Sequence, residues 1–145
     1  MVRFDHVGVV VEDLAAAADF FRALGFEGDD MTVVEGDAVD GINGLEGVRA
    51  EILMVSTPDG SGTLELVNYH APGDGGKPRA EPANRPGFRH IAIEVEGLDA
   101  TVERLRSGGF ATVGEVRDYG DSWRLCYVRG PEGLIIELAQ RLTSS

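Results

Sequence analysis

The sequence predicts an α+β protein built from two tandem copies of a βαβββ module, and three observations carry that prediction. Residues 4–26 align without gaps on residues 88–110 at a constant offset of 84, with identities at Phe4/Phe88, His6/His90, Glu12/Glu96, Leu14/Leu98, Gly25/Gly109 and Phe26/Phe110. Both halves close on one pattern, Leu64-Glu65-Leu66 and Ile136-Glu137-Leu138, here at an offset of 72. Within each half the hydrophobic period passes from that of a strand to that of a helix and back.

The opening stretch alternates, with Val7, Val9 and Val11 on one face and Phe4, His6, Gly8 and Val10 on the other. Its twin sets Ile91, Ile93 and Val95 against Phe88, His90, Ala92 and Glu94. A helix over residues 13–24 follows, with Leu14, Ala17, Ala18, Phe21 and Leu24 at helical spacing and Gly25 placed to end it. The twin helix covers Leu98–Ser107 and stops at Gly108-Gly109. Three strands complete each module: 31–35, 49–56 and 63–69, then 111–117, 123–129 and 134–139. Pro58-Asp59-Gly60 and Pro131-Glu132-Gly133 mark tight turns before the last strand of each half. The change of offset leaves about a dozen extra residues between helix and last strand of the first half. The modules are expected over 1–70 and 87–145, forming one compact domain. The connection 71–86, rich in glycine and proline, reads as a solvated tether that has the length to close over a site.

With 43% hydrophobic and 26% charged residues, the chain has ordinary globular composition and is expected to fold. Its formal charge of −12 would repel a phosphate backbone, which argues against nucleic acid as a partner. No apolar run approaches the roughly 20 residues of a membrane span, and no signal peptide opens the chain, so a cytoplasmic protein is expected. The lone cysteine, Cys126, sits between Leu125 and Tyr127 in a strand and is expected as a buried thiol.

Four residues stand out. His6 and His90 lie opposite the aliphatic rows that should pack on the helices, and each is followed two residues later by a small residue, Gly8 or Ala92. Glu65 and Glu137 lie opposite Leu64/Leu66 and Ile136/Leu138, in strands where a carboxylate is costly to bury without a cation or hydrogen-bonding partner. With the halves related by a pseudo-twofold axis, these become two symmetric His/Glu pairs. Two imidazoles and two carboxylates suit Zn²⁺, Ni²⁺, Co²⁺, Fe²⁺ or Mn²⁺. Waters completing the coordination mark where a bidentate substrate would enter.

The segments His6-Val7-Gly8-Val9-Val10-Val11-Glu12-Asp13-Leu14, Phe20-Phe21, Leu24-Gly25-Phe26, Leu64-Glu65-Leu66, Gly87-Phe88-Arg89-His90-Ile91-Ala92 and Gly130-Pro131-Glu132-Gly133 before Ile136-Glu137-Leu138 resemble the vicinal oxygen chelate superfamily. That superfamily includes glyoxalase I, methylmalonyl-CoA epimerase, extradiol dioxygenases and bleomycin-resistance proteins. The resemblance spans nearly the whole chain. It implies cupped mixed sheets around a central metal or ligand cavity, and catalysis on a substrate with vicinal oxygens. The four ligand positions of glyoxalase I and the epimerase fall on His6, Glu65, His90 and Glu137. Proton abstraction beside a carbonyl is then implied, with Glu137 as first choice of base and Glu65 opposite it. Glu46, in Glu46-Gly47-Val48-Arg49, matches the stretch where the epimerase places a second acid/base.

Bleomycin-binding relatives, which sequester a drug without catalysis, are similar in fold but usually lack the four-residue set. Extradiol dioxygenases use a triad matching His6, His90 and Glu137, and Glu65 would fill the position that they keep open for oxygen chemistry. A glyoxalase-like isomerase, epimerase or lyase is therefore the expected activity, acting on a small molecule, with a homodimer as the expected assembly. No basic clamp for glutathione carboxylates stands out. Tyr69, Trp123 and Arg124 are candidate substrate contacts, and His70 is expected to face water.

Overall fold

Each half is a four-stranded mixed sheet with a helix against one face, and the computed structural model describes this for residues 1–142. Residues 143–145, placed in the second module above, lie outside the described residues. The first sheet has the order β1-β4-β3-β2, from Val7–Val10, Thr63–Ala71, Arg49–Ser56 and Met31–Glu35. The second repeats it as β5-β8-β7-β6, from His90–Glu94, Ile135–Arg141, Trp123–Arg129 and Arg117–Tyr119. In both, the opening strand runs parallel to the last and the other pairings are antiparallel. This is the expected βαβββ unit, found twice.

Helix α1 (Leu14–Ala23) begins where the Asp13 carboxylate accepts from the Ala16 amide at 3.0 Å and ends before Gly25, whose φ of +108° a side chain would resist. It buries Leu14, Ala17, Ala18, Phe20 and Phe21, with Phe21 edge-on to both Phe20 and Phe26. Its twin in the second half (Leu98–Ser107) has the predicted bounds and buries Leu98, Val102 and Leu105. Beneath these helices lie Val55, Leu64 and Leu66 in one half and Val128, Ile136 and Leu138 in the other, each at most 4% exposed. Cys126 is buried as expected, and burial pushes its thiol pKa up.

Three details differ from the sequence reading. The extra residues of the first half form a short helix, Asp37–Asn43, which continues the chain-order numbering as α2 and leaves the helix at Leu98–Ser107 as α3. The strand expected over 111–117 is displaced: only Thr112 makes an isolated bridge, to Val128, and β6 comes later. Gly114, which has no side chain to pack, interrupts the pairing after that bridge, and a continuous ladder starts only at Arg117. The linker is also not wholly a solvated tether. The chain divides into compact units Met1–Pro78 and Arg79–Ser145, and the Arg129 guanidinium donates to the carbonyls of Glu81 and Gly133 at 2.7 and 3.0 Å. Residues 79–81 are thereby stitched to the turn before β8.

Candidate functional site

Register brings the predicted residues together in pairs. In the first half Gly8 lies beside Glu65 across the parallel β1–β4 ladder, and His6, one residue before β1, projects on the same side. Its Nε2 stands 3.6 Å from a Glu65 oxygen. In the second half Ala92 lies beside Glu137, and His90 Nε2 is 3.5 Å from Glu137. The small residues are thus the direct ladder partners of the carboxylates, and a Cβ on Gly8 would meet nothing within 4 Å. All four side chains are partly open, between 20% and 37% exposed.

At 3.5–3.6 Å neither pair makes a good hydrogen bond, so ring nitrogen and carboxylate oxygen face a common space. Two ligands about 2.1 Å from a cation and at right angles stand about 3 Å apart, close to the spacing of each pair. Among the described residues no group of three or more His, Cys, Asp or Glu side chains is preassembled to hold a metal ion. What each half supplies is a two-toothed grip.

The two grips differ in what steadies the imidazole. His6 Nδ1 lies 2.6 Å from the Asp5 carboxylate, a contact that holds its pKa above the ordinary histidine value, with Glu65 adding to the effect and partial desolvation opposing it. In the tautomer with the proton on Nδ1, the Nε2 lone pair is aimed beside Glu65. The residue equivalent to Asp5 in the second half is Arg89, so no such carboxylate precedes His90. There the ring of Tyr127, the cross-strand neighbour of Glu137, packs 4.9 Å from the His90 ring.

The remaining candidates scatter. Tyr69 lies on the Glu65 face of β4, two steps of alternation beyond the carboxylate, and its hydroxyl donates to Asn43 at 2.5 Å. Trp123 lies on the Glu137 face of β7, but the Arg141 guanidinium stacks 4.3 Å from its ring centre and reaches Glu94 at 3.4 Å. Arg124, adjacent to Trp123 and therefore on the opposite side of the strand, is held by Asp99 at 3.0 Å and Asp118 at 2.9 Å. It braces α3 and β6, and the expectation that it joins Trp123 as a substrate contact is corrected by that alternation. Glu46 is exposed in the turn after α2. His70, expected to face water, is 42% exposed and pairs with Glu51 at 2.8 Å.

Sequence reasoning missed Asp5 beside His6 and Arg141 on the same face as Glu137. Asp5 was legible from its place next to His6. Arg141 needed the β7–β8 register.

Two four-stranded mixed sheets of identical strand order, each with an imidazole and a carboxylate at equivalent positions, define a duplicated βαβββ protein with a matched His/Glu pair in each half. The chain belongs to the glyoxalase/bleomycin resistance protein/dioxygenase superfamily, whose family profile matches residues 3–138. A glyoxalase family protein from Bacillus cereus is 38% identical and superposes with a TM-score of 0.94 over 99% of this chain and 96% of that one. A glyoxylase/bleomycin resistance protein/dioxygenase domain from Frankia shares the fold at 17% identity, with a TM-score of 0.68 over 100% of this chain and 96% of that chain. So does a genomically encoded fosfomycin resistance protein from Listeria monocytogenes complexed with Mn(II) and sulfate, at 15% identity and a TM-score of 0.58 over 97% and 93% of the two chains. No curated protein matches. No helix among the described residues is long and apolar enough to cross a membrane.

Proposed function

We propose that this protein is a divalent-metal-dependent, glyoxalase-like isomerase, epimerase or lyase acting on a small molecule with vicinal oxygens. The observation that carries the reading is the recurrence of one His/Glu pair, at 3.5–3.6 Å, at the same strand register in each half. His6 with Glu65 and His90 with Glu137 are the residues that would hold the cation, a mixed nitrogen and oxygen set suited to Zn²⁺, Ni²⁺, Co²⁺, Fe²⁺ or Mn²⁺. Bound there, the metal supplies Lewis acidity toward the substrate's oxygens.

The chain's own part is proton transfer and positioning. Glu137, half-buried beside the Tyr127 ring, takes the proton from the carbon next to the substrate carbonyl, and Glu65 is the matching group on the other half-site. Asp5 keeps the His6 ring oriented. Glu65 disfavours an oxygenase, which needs that position open. A homodimer in the cytoplasm is the assembly and setting we infer with this activity.

The test is metal content by elemental analysis of protein purified without chelator or metal-affinity tag, wild type against Glu137→Ala. About one transition metal per chain, lost in the variant, is the expected result. A wild type that takes up none of Ni²⁺, Co²⁺, Zn²⁺, Mn²⁺ or anaerobic Fe²⁺ would overturn the enzyme reading and leave a sequestering protein of the bleomycin-resistance kind.

A further inference from the structure

The residues that make the first half longer than the second build α2, and α2 sits on the face that carries the first half-site. Register sets that face. Gly8 and Val10 lie beside Glu65 and Val67; Met54, Ile52 and Ala50 lie beside Glu65, Val67 and Tyr69; Thr32 and Val34 lie beside Ile52 and Ala50. None of these positions is Lys or Arg. Val39 of α2 packs with Val34, Ile52 and Tyr69 onto a small cluster of Val48, Ala50 and Val67. The helix therefore covers the site face from Val67 onward, two residues beyond Glu65 or about 7 Å along the strand. Met54, level with Glu65, and Val10, level with Val67 on the edge strand β1, stay open, 39% and 64% exposed, and form an uncharged floor against the half-site.

We propose that α2 is a specificity wall: with Val10 and Met54 it admits a short, uncharged aliphatic arm of the substrate beside His6 and Glu65 and stops a longer one. The proposal rests on the functional reading above for what binds at the half-site. The strand positions named carry no lysine or arginine to receive an anionic arm, and the chain's charge of −12 discourages one. The wall is held at few points. It runs between Gly36 and Gly44, at φ +115° and +66°, and the Asp40 carboxylate ties its C-terminal turn to the amides of Gly47 and Val48 at 3.0 and 2.8 Å. Its direct hydrogen bond to the sheet is that from Tyr69 to Asn43, so Tyr69 is a positioning residue that acts through α2.

The test uses hydroxamates as vicinal-oxygen chelators of graded length, titrated into Zn²⁺-loaded protein by calorimetry. In the wild type, butanohydroxamate should bind more tightly than acetohydroxamate by about fourfold per added methylene, and octanohydroxamate should lose that gain. Asn43→Ala and Val39→Ala, which unlatch and thin the wall, should restore octanohydroxamate binding while leaving acetohydroxamate unchanged. Affinity that climbs through octanohydroxamate in the wild type, or length discrimination untouched in both variants, overturns the proposal. Hydroxamate binding that needs no metal would sink the metal reading and leave this length comparison decisive. Should no hydroxamate bind, the methyl resonances of Val10 and Met54 decide in titrations with butanol and octanol. A response to butanol alone, extended to octanol by the variants, supports the wall; an equal response to both, or none, refutes it.

Discussion

Four residues beyond its carboxylate, the last strand of the first half carries Tyr69 and that of the second carries Arg141, and their surroundings could hardly differ more. Tyr69 is hydrogen-bonded to a helix that closes the end of its sheet face. Arg141 lies open to solvent, stacked on Trp123 and paired with Glu94. Nearer the carboxylates the halves agree: Gly8 and Ala92 beside Glu65 and Glu137, His6 and His90 within 3.6 Å of them, and Leu66 and Leu138 behind, each 0% exposed. The duplicated module keeps its grip and its core, and varies the far end of the face. Core packing tolerates little change, whereas a strand's distal end accepts any side chain that the local cover allows.

The largest effect that would sharpen this comparison lies at two glycines. A Cβ at Gly28 would fall 2.2 Å from the Met54 carbonyl oxygen, and one at Gly133 would fall 2.4 Å from that of Arg79; both residues have positive φ. Gly28→Ala and Gly133→Ala should each cost about 3 kcal/mol in urea unfolding, the second by prising residues 79–81 off the second half. A Gly133→Ala variant as stable as wild type, beside a destabilised Gly28→Ala, would mean that residues 79–81 are not docked.

Asp5 is the next lever. Asp5→Asn should weaken metal affinity about tenfold, because the partner that orients His6 is lost, while Arg89→Gln at the equivalent place should leave it unchanged. Competition titration with a chromophoric chelator reads both, and identical losses would erase the proposed asymmetry between the imidazoles.

Gly8→Ala makes the first half match the second. Open space around Gly8 predicts a gain of about 0.5 kcal/mol in thermal unfolding with metal content unchanged.

The smallest effect is at the turn before β4. Asp59 accepts from the Ser61 amide, chiefly, and from the Thr57 and Ser61 hydroxyls, which lower its pKa to about 2. A carboxyl whose pKa is depressed on folding adds stability above its unfolded value, near 3.8, and that contribution is lost as pH falls toward 2. The gap in stability between wild type and Asp59→Asn should therefore shrink across that window. The second half has Glu132 at the equivalent position, at a φ of +55°.

The repeat, the α+β class, the helix bounds and the four candidate ligands were legible because each rests on a period that a strand or helix enforces locally. His6 and Glu65 could be assigned to one face from alternation alone. What escaped were features that depend on who the neighbour is. The extra helix is seven residues long, begins after Gly36 without a side-chain cap and contains Gly41, so nothing local announces it; it forms because Val39 finds an apolar bed on the sheet. Arg124 reads as a partner of Trp123 in a list of letters, yet the pleat turns it toward Asp99.

The sequence by itself determined that two similar modules fold and which side of each last strand bears a carboxylate, since hydrophobic alternation leaves only one face to bury. Only the tertiary structure decided how far each carboxylate stands from its histidine, what lies beside it, and that one face is capped and the other open. Those outcomes depend on strand register and on contacts between residues dozens of positions apart, which no local pattern encodes.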